Sequence, residues 1–482
     1  MDGSNADLDN QIRLAEEHLA ALKKRRDSST TSQSETDQQP ERKFGAAALT
    51  KDDVERYSRQ MLCEDLGPAG TRKLRDATVL VVGAGGLGST VCLYLAAAGV
   101  GTLRIMDFDV VERSNLHRQV IHDDLRIGDL KADSARRSCL ALNPHIHVES
   151  IHERLDAHNA EKYIAGCDVV VDASDNVASR YLINDAAALC GKPLVSGAAM
   201  RWEGQLTVYD RGATTPCYRC LFPSPPPANT VGSCNDTGVV GPVPGMIGCL
   251  QALEAVKLIA QCGEPLRGRM LIWNGLTAMF KVVKLRPRQA SCATCSTSSQ
   301  DAANDAVVDR VQKNLWEHPR PEYAMVPCLA PSFDLPASHC VTPAAILEES
   351  AEHHVVVDVR DSLQHSMCSI QGSVSVPLKT LSSCATPLER LAVLRRAVSG
   401  AKRTREGDVL PAAAPSEVLV VCRRGIASTT AVTLLLEAQT VAANAAPEHE
   451  YEGKEFAAVP IKNVVGGLNR YASQCDFGFP DY

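Results

Sequence analysis

The chain has 482 residues, a formal net charge of −7, and 45% hydrophobic and 22% charged residues, a composition expected of a soluble protein long enough for two domains. The acidic balance gives no reason to expect direct nucleic-acid binding or an anionic membrane surface as partner, and no run of about 18 uncharged apolar residues reads as a membrane span. The polar start Met1–Asp7 lacks a signal-peptide core, so the 18 cysteines are expected to be reduced thiols used for metal binding or chemistry, in the cytosol.

Leu8, Ile12, Leu14, Leu19 and Leu22, spaced among charges, predict an amphipathic N-terminal helix within residues 1–26. Residues 27–48 are mostly Ser, Thr, Gln, Asp and Glu and predict a disordered linker. Folded structure is expected from Leu49, with Thr50 capping a helix that carries Arg56 and Arg59. Next, Thr78–Val82 reads as an apolar strand, Gly83-Ala84-Gly85-Gly86-Leu87-Gly88 as a glycine turn, Ser89–Ala98 as a helix and Thr102–Met106 as a second strand ending on Asp107-Phe108-Asp109. Glycine lets backbone approach an anion closely, and a helix N-terminus supplies unpaired N–H groups. Asp107, placed after the second strand, suits a ribose hydroxyl. A nicotinamide enzyme is the default for such a unit. Arg118 and Lys131 shift the reading towards a triphosphate, since they can stabilise charge on its outer phosphates.

Residues 132–145 predict a helix and Cys167–Ala173 a strand ending at Ser174-Asp175-Asn176. A carboxylate there can hold Mg²⁺ on phosphates and Asn176 can bond the nucleotide, although Ser-Asp-Asn is also good helix-capping chemistry. Lys192–Gly197 and Gly204–Tyr209 read as further strands, the latter alternating as though one face met solvent or a partner. Cys217-Tyr218-Arg219-Cys220 and Cys292-Ala293-Thr294-Cys295 form two knuckles able to give four thiolates around one structural Zn²⁺; a redox pair is the competing idea. Between them, Thr230–Gly238 is a polar loop holding Cys234, either a buried structural thiol or a nucleophile on a mobile crossover. Gly245–Gln261 predicts an apolar core helix, and residues 296–322 a linker.

The remainder, residues 323–482, has its own pattern. Val355–Val359 reads as a buried strand with Asp358 and Arg360 at its end, and Val418–Val421 runs into Cys422-Arg423-Arg424-Gly425-Ile426-Ala427-Ser428 and a helix. Amides of that turn and two arginines are expected to stabilise a Cys422 thiolate able to carry a persulfide. A cysteine phosphatase would need arginine where Ser428 stands. Lys379–Ser416 is expected to be an irregular surface excursion.

Arg56-Tyr57-Ser58-Arg59-Gln60, Gly83–Gly88, Asp107-Phe108-Asp109, Ser114-Asn115-Leu116-His117-Arg118-Gln119 and Asp175-Asn176 together resemble the adenylation domain of ubiquitin-activating-type enzymes, over roughly residues 52–295. Within that family the chain is most similar to the molybdopterin synthase adenylyltransferases. The stretches around Asp358, Ile370–Leu378, Cys422 and Val465–Tyr471 resemble a rhodanese, with Ile426-Ala427 where related sulfurylases often have Asn-Asp. The resemblance implies an α/β fold: a Rossmann-like adenylation domain with a structural zinc site over residues 49–295, and a smaller α/β rhodanese domain over residues 323–482. It implies ATP/Mg²⁺ bound by Gly86, Asp107, Ser114, Asn115, Leu116, His117, Arg118, Lys131, Asp175 and Asn176, with Arg59 reaching across a homodimer interface to the triphosphate. It implies zinc on Cys217, Cys220, Cys292 and Cys295, and catalytic roles for Cys234 and Cys422. The implied partners are small β-grasp sulfur carriers (the molybdopterin synthase small subunit and the ubiquitin-related modifier of tRNA 2-thiolation) and an upstream cysteine desulfurase or other sulfur donor. A thioester-passing activating enzyme and a non-catalytic scaffold are the alternatives. The first usually ends in a ubiquitin-like fold rather than a rhodanese pattern, and the second would have lost Arg118, Lys131 or Asp175.

Overall fold

The computed structural model describes residues 49–210, 215–226, 238–295, 320, 323, 335–347, 354–401, 415–444 and 451–480. The predicted N-terminal helix, its linker, Cys234 and most of 296–322 lie outside the described residues. Helix α1 (Lys51–Met61) starts on a capping box in which Thr50 and Asp53 each accept the other's backbone N–H. Helix α2 (Gly67–Asp76), with Pro68 in its first turn, has no counterpart in the sequence-based reading. Strand β1 (Thr78–Val82), helix α3 (Gly86–Ala98) and strand β2 (Thr102–Met106) follow where the apolar runs place them.

Helix α4 (Lys131–Leu142), strand β3 (His147–Ile151), helix α5 (Ala160–Ile164), strand β4 (Val169–Asp172), helix α6 (Val177–Leu189) and strand β5 (Leu194–Met200) continue the alternation. Strands β3-β2-β1-β4-β5 pair in parallel in that order, and β6 (Glu203–Tyr209), β7 (Arg269–Asn274) and β8 (Met279–Lys284) extend the sheet antiparallel. β1 and β4 carry buried runs of valine and leucine because helices cover both faces of a parallel sheet. Short helix α7 (Tyr218–Leu221) and the long helix α8 (Pro242–Ala260) lie between β6 and β7, and α8 packs on α3 and β5. In β6 only Glu203 and Gln205 are exposed, so the expected solvent face of that strand is mostly covered. The open apolar face belongs instead to β8, where Met279, Phe280 and Val282 are each more than half exposed.

A second sheet is wholly parallel, in the order β11-β10-β12-β13-β9. Its strands are β9 (Cys340–Val341), β10 (His354–Asp358), β11 (Val374–Ser375), β12 (Glu417–Val421) and β13 (Ile461–Val464). Helices α9 (Ser362–Met367), α10 (Leu378–Ser382), α11 (Pro387–Ala401), α12 (Ile426–Ala443) and α13 (Gly467–Gln474) accompany them. The irregular excursion expected over 379–416 is corrected up to residue 401 by α10 and α11, and residues 402–414 lie outside the described residues. Leu391, Leu394 and Val398 recur at helical spacing, the two leucines are fully buried, and α11 packs on α12. Arg395 and Arg396, which made the stretch look like surface, pair with Glu455 and Glu452. Helices α8 and α12 have the length and mean hydropathy of a membrane span, but α8 contains Glu254 and Lys257 and each packs against its own sheet.

Candidate functional site

The chain order of the first sheet reverses at β1: β2 lies on one side and β4 on the other. A crevice forms at the carboxyl ends of strands flanking such a reversal. It is lined here by Gly83, Asp107 and Ala173, the first residues past β1, β2 and β4. Glycine is required at the turn: Gly83 has φ +102° and its Cβ would fall 2.7 Å from the Ala173 carbonyl oxygen, while a Cβ on Gly88 would sit 1.9 Å from that of Gly83. The cradle these glycines leave open fits a phosphate chain at the N-terminus of α3.

Asp107 Oδ2 accepts the Ala84 N–H at 2.8 Å and Oδ1 accepts the Asp109 N–H at 2.9 Å. Burial nevertheless raises its pKa above the usual carboxylate value, against the opposing pull of Lys131 and those amides. Lys131 is nearly buried, with Nζ 2.9 Å from Asp109 Oδ2; a bound polyanion would compete with Asp109 for it. Arg118 lines the crevice. Its guanidinium donates to the Ser114 carbonyl at 3.1 Å and to Asn115 Oδ1 at 2.9 Å, and lies 2.7 Å from His117 Nε2. The crevice lining includes Gly86, Asp107, Arg118, Lys131, Asp175 and Asn176. Ser114, Asn115 and His117 contact Arg118, and Leu116 lies on the same turn. Asn176 caps α6 by accepting the Ser179 N–H at 2.8 Å, so the capping reading holds for its oxygen. Arg59 is exposed on α1 and is not among the crevice residues.

Three positions went unread in the sequence. Arg180, one turn into α6, lines the crevice and bridges the Ser174 and Gly197 carbonyls at 3.0 and 2.9 Å; its spacing of four from Asn176 was the available signal. Arg154 stands over the Phe108 ring at the crevice rim. His122 lies behind the glycine turn, with Nε2 3.1 Å from the Ala84 carbonyl and Nδ1 2.9 Å from Ser134 Oγ. Because a carbonyl only accepts, Nε2 carries the proton. Burial lowers the His122 pKa to about 4.

Both cysteine knuckles come together. The sulfurs of Cys217, Cys220, Cys292 and Cys295 lie within 4.8 Å of one another and all four residues are buried. Pairs are 3.9, 3.6 and 3.4 Å apart, close to the ~3.8 Å edge of a tetrahedron with metal–sulfur bonds near 2.3 Å. Four thiol donors in that arrangement can hold a metal ion with no position left open, and a disulfide exchange site has no use for the second pair.

In the second sheet, Cys422 follows the central strand β12. Its sulfur accepts the Gly425 N–H at 3.1 Å and lies 3.3 Å from Ser428 Oγ. The residue is 4% exposed, enclosed in the core of the second sheet. The enclosure has a cause: the Cys422 turn interlocks with the turn at Gly466-Gly467, whose following N–H groups on Leu468 and Asn469 bond the carbonyls of Cys422 and Arg423. Any Cβ on Gly467 would approach the Cys422 carbonyl to 2.2 Å. Beside it, Arg360 grips Asp358 in a buried pair at 2.6 Å.

The ThiF family matches residues 57–294. Adenylyltransferase and sulfurtransferase MOCS3 of Arabidopsis thaliana is 39% identical over 437 residues, 90% of this chain and 86% of that protein. The protein of the same name from Mus musculus is 39% identical over 488 residues, 99% of this chain and 98% of its own. MOCS3-1 of Zea mays is 42% identical over 438 residues, covering 90% and 85%. Among solved structures, E. coli MccB with ATP aligns at 22% identity and a TM-score of 0.45, over 52% of this chain and 75% of that one. With near full-length coverage of such relatives, the chain belongs to the family of adenylyltransferase and sulfurtransferase MOCS3 proteins.

Proposed function

We propose that this adenylyltransferase and sulfurtransferase activates the C-terminal glycine of a small β-grasp sulfur carrier with ATP and converts it to a thiocarboxylate with sulfur carried on Cys422. The carriers are the small subunit of molybdopterin synthase and the ubiquitin-related modifier, which places the enzyme in molybdenum cofactor biosynthesis and tRNA 2-thiolation, in the cytosol. One observation carries the reading. A single chain sets a nucleotide-sized crevice at the reversal point of one parallel sheet and a cysteine in a glycine-bounded turn at the carboxyl end of another. The first unit is taken as an adenylation domain, residues 49–295, and the second as a rhodanese domain, residues 323–482.

In the adenylation step the carrier's carboxylate attacks the α-phosphorus of ATP and pyrophosphate leaves. Arg118 and Lys131 meet the departing negative charge, and Asp107 orients the ribose. Asp175 is the residue proposed to hold Mg²⁺, and Arg59 to enter from the partner of a homodimer. The mixed anhydride leaves an electrophilic carbonyl, and AMP departs when a thiolate attacks it. The outer sulfur of the Cys422 persulfide then takes over the acyl group as an acyl disulfide, and a thiol reductant cleaves that S–S bond to release the thiocarboxylate and the Cys422 thiol. Cys234 is assigned the role of holding the acyl group between steps. Cys422 takes its sulfur from a cysteine desulfurase or comparable donor. Cys217, Cys220, Cys292 and Cys295 would hold one structural zinc, whose contribution is cohesion rather than chemistry because no coordination position is open. Mass spectrometry of a candidate carrier after incubation with enzyme, ATP, thiosulfate and a thiol reductant tests the reading: replacement of one oxygen by sulfur at the terminal carboxyl is expected. An unchanged carrier mass despite ATP–pyrophosphate exchange would leave only an adenylating enzyme.

A further inference from the structure

Asp185 is fully buried near the C-terminal end of α6 and accepts from several groups far away in sequence. Arg219, between the first pair of cysteines, donates Nε to both carboxylate oxygens at 2.9 and 2.8 Å. Thr294, between the second pair, donates its hydroxyl at 2.8 Å. The adjacent Asn184 amide also donates to Oδ1 at 2.9 Å, and two further partners come from beyond the cysteine cluster: Tyr323 gives its hydroxyl at 2.6 Å, and Arg320 lies 3.4 Å from Oδ2. Arg320 also donates to the Ala293 carbonyl at 2.8 Å. The Tyr323 ring packs on the core cluster of α5 and α6, and burial beside Asp185 pushes its hydroxyl pKa up, keeping it a donor. A buried carboxylate held by an arginine is an expensive thing to leave half-satisfied, so each of these donors is firmly held.

Asp185 therefore holds more than the knuckles. It fastens a point 28 residues past Cys295 in the sequence back onto the first unit. We propose that Arg320 and Tyr323 are positioning residues that clamp the connector to Asp185, so that the span between the two units is set by residues 324–334 alone. The inference rests on the proposed cooperation of the two units in one sulfur transfer. Measured from Tyr323 to Leu335, the chain can extend at most roughly 40 Å, whereas from Cys295 it could extend roughly 140 Å. Keeping the connector short raises the concentration of the Cys422 sulfur at the activated acyl group, because effective concentration falls as about the −3/2 power of linker length.

The test uses the full chain and two insertions of 24 Gly/Ser residues, one between residues 305 and 306 and one between residues 329 and 330. If the clamp holds, the first insertion leaves single-turnover thiocarboxylate formation unchanged, and the second slows it about fivefold because it triples the free length. In the Arg320→Ala, Tyr323→Phe double variant, the two insertions should slow transfer equally. Equal effects of both insertions in the otherwise native chain, or no effect of either, would overturn the clamp. ATP–pyrophosphate exchange and the persulfide on Cys422, followed in the same samples, tell failure of the clamp from failure of the underlying reading, since neither depends on connector length.

Discussion

His122 titrates where most histidines do not. Its ring is held neutral behind the glycine turn, bonded to Ala84 and Ser134, and its pKa falls to about 4. A depressed histidine binds its proton in the unfolded chain first. Between the ordinary value of 6.5 and about 4 the unfolded state therefore takes up more protons than the native one, so stability falls as pH falls through that window and is level above it. The limit is about 3 kcal/mol. His122→Gln keeps a donor for the Ala84 carbonyl without the titration, so its thermal midpoint should lose less between pH 6.5 and 4.5 than that of the native chain. Parallel curves would show that His122 is not the group responsible. At the other centre, Cys422→Ala should abolish thiocarboxylate formation yet leave ATP–pyrophosphate exchange at its native rate. Cys422 belongs to the second sheet and nothing it touches lines the nucleotide crevice. Loss of exchange as well would refute the division of labour between the sheets.

Helix α11 shows how packing overrides composition. Residues 387–401 carry Glu389, Arg390, Arg395 and Arg396, and their charge drew the sequence reading to a surface excursion. The leucines decide otherwise: Leu394→Ala should cost about 2–5 kcal/mol, the range for deleting a fully buried leucine side chain, and calorimetry would show it as a lowered transition of the second unit. A change under ~0.5 kcal/mol would mean that α11 does not belong to the core. The strands were easier to read. β1 was legible because its buried parallel run is apolar after Thr78 and stops at Gly83, and β2 because Leu103, Ile105 and Met106 are buried around Arg104 and Asp107 ends it. The hairpin β7–β8 was not, since its lysines, arginine and open apolar face show no single period. The crevice was half legible for a similar reason. The crevice residues between Gly83 and Arg118 fall in recognisable order along the chain, whereas Arg180 and Arg154 reach the same space from a helix and a loop that no motif marks. Among the predicted contacts, the Ser114 carbonyl, Asn115 Oδ1 and His117 Nε2 also meet the Arg118 guanidinium, a set of contacts that spacing alone does not show.

At the scale of the molecule, the first unit is held together by a cluster whose members are distant in sequence. Cys217 and Cys220 follow β6, Cys292 and Cys295 follow β8, and Asp185 joins both pairs to α6. The crevice lies at the other end of that helix, where Asn176 caps it, nine residues or about 13 Å from Asp185. Metal loss should therefore act on the crevice through cohesion, not chemistry. The purified chain is expected to carry one zinc by elemental analysis. Removing it with a strong chelator, or substituting Cys217 and Cys220 by Ser, should lower the thermal midpoint of the first unit sharply, because metal-binding free energy at a four-thiolate site is folding free energy. The fraction still folded should exchange ATP and pyrophosphate with an unaltered KM for ATP, since none of the four cysteines lines the crevice. A chelated enzyme that stays folded but loses exchange would place the metal in the reaction itself, and a chain that melts identically with and without it would remove the cluster from the account of stability.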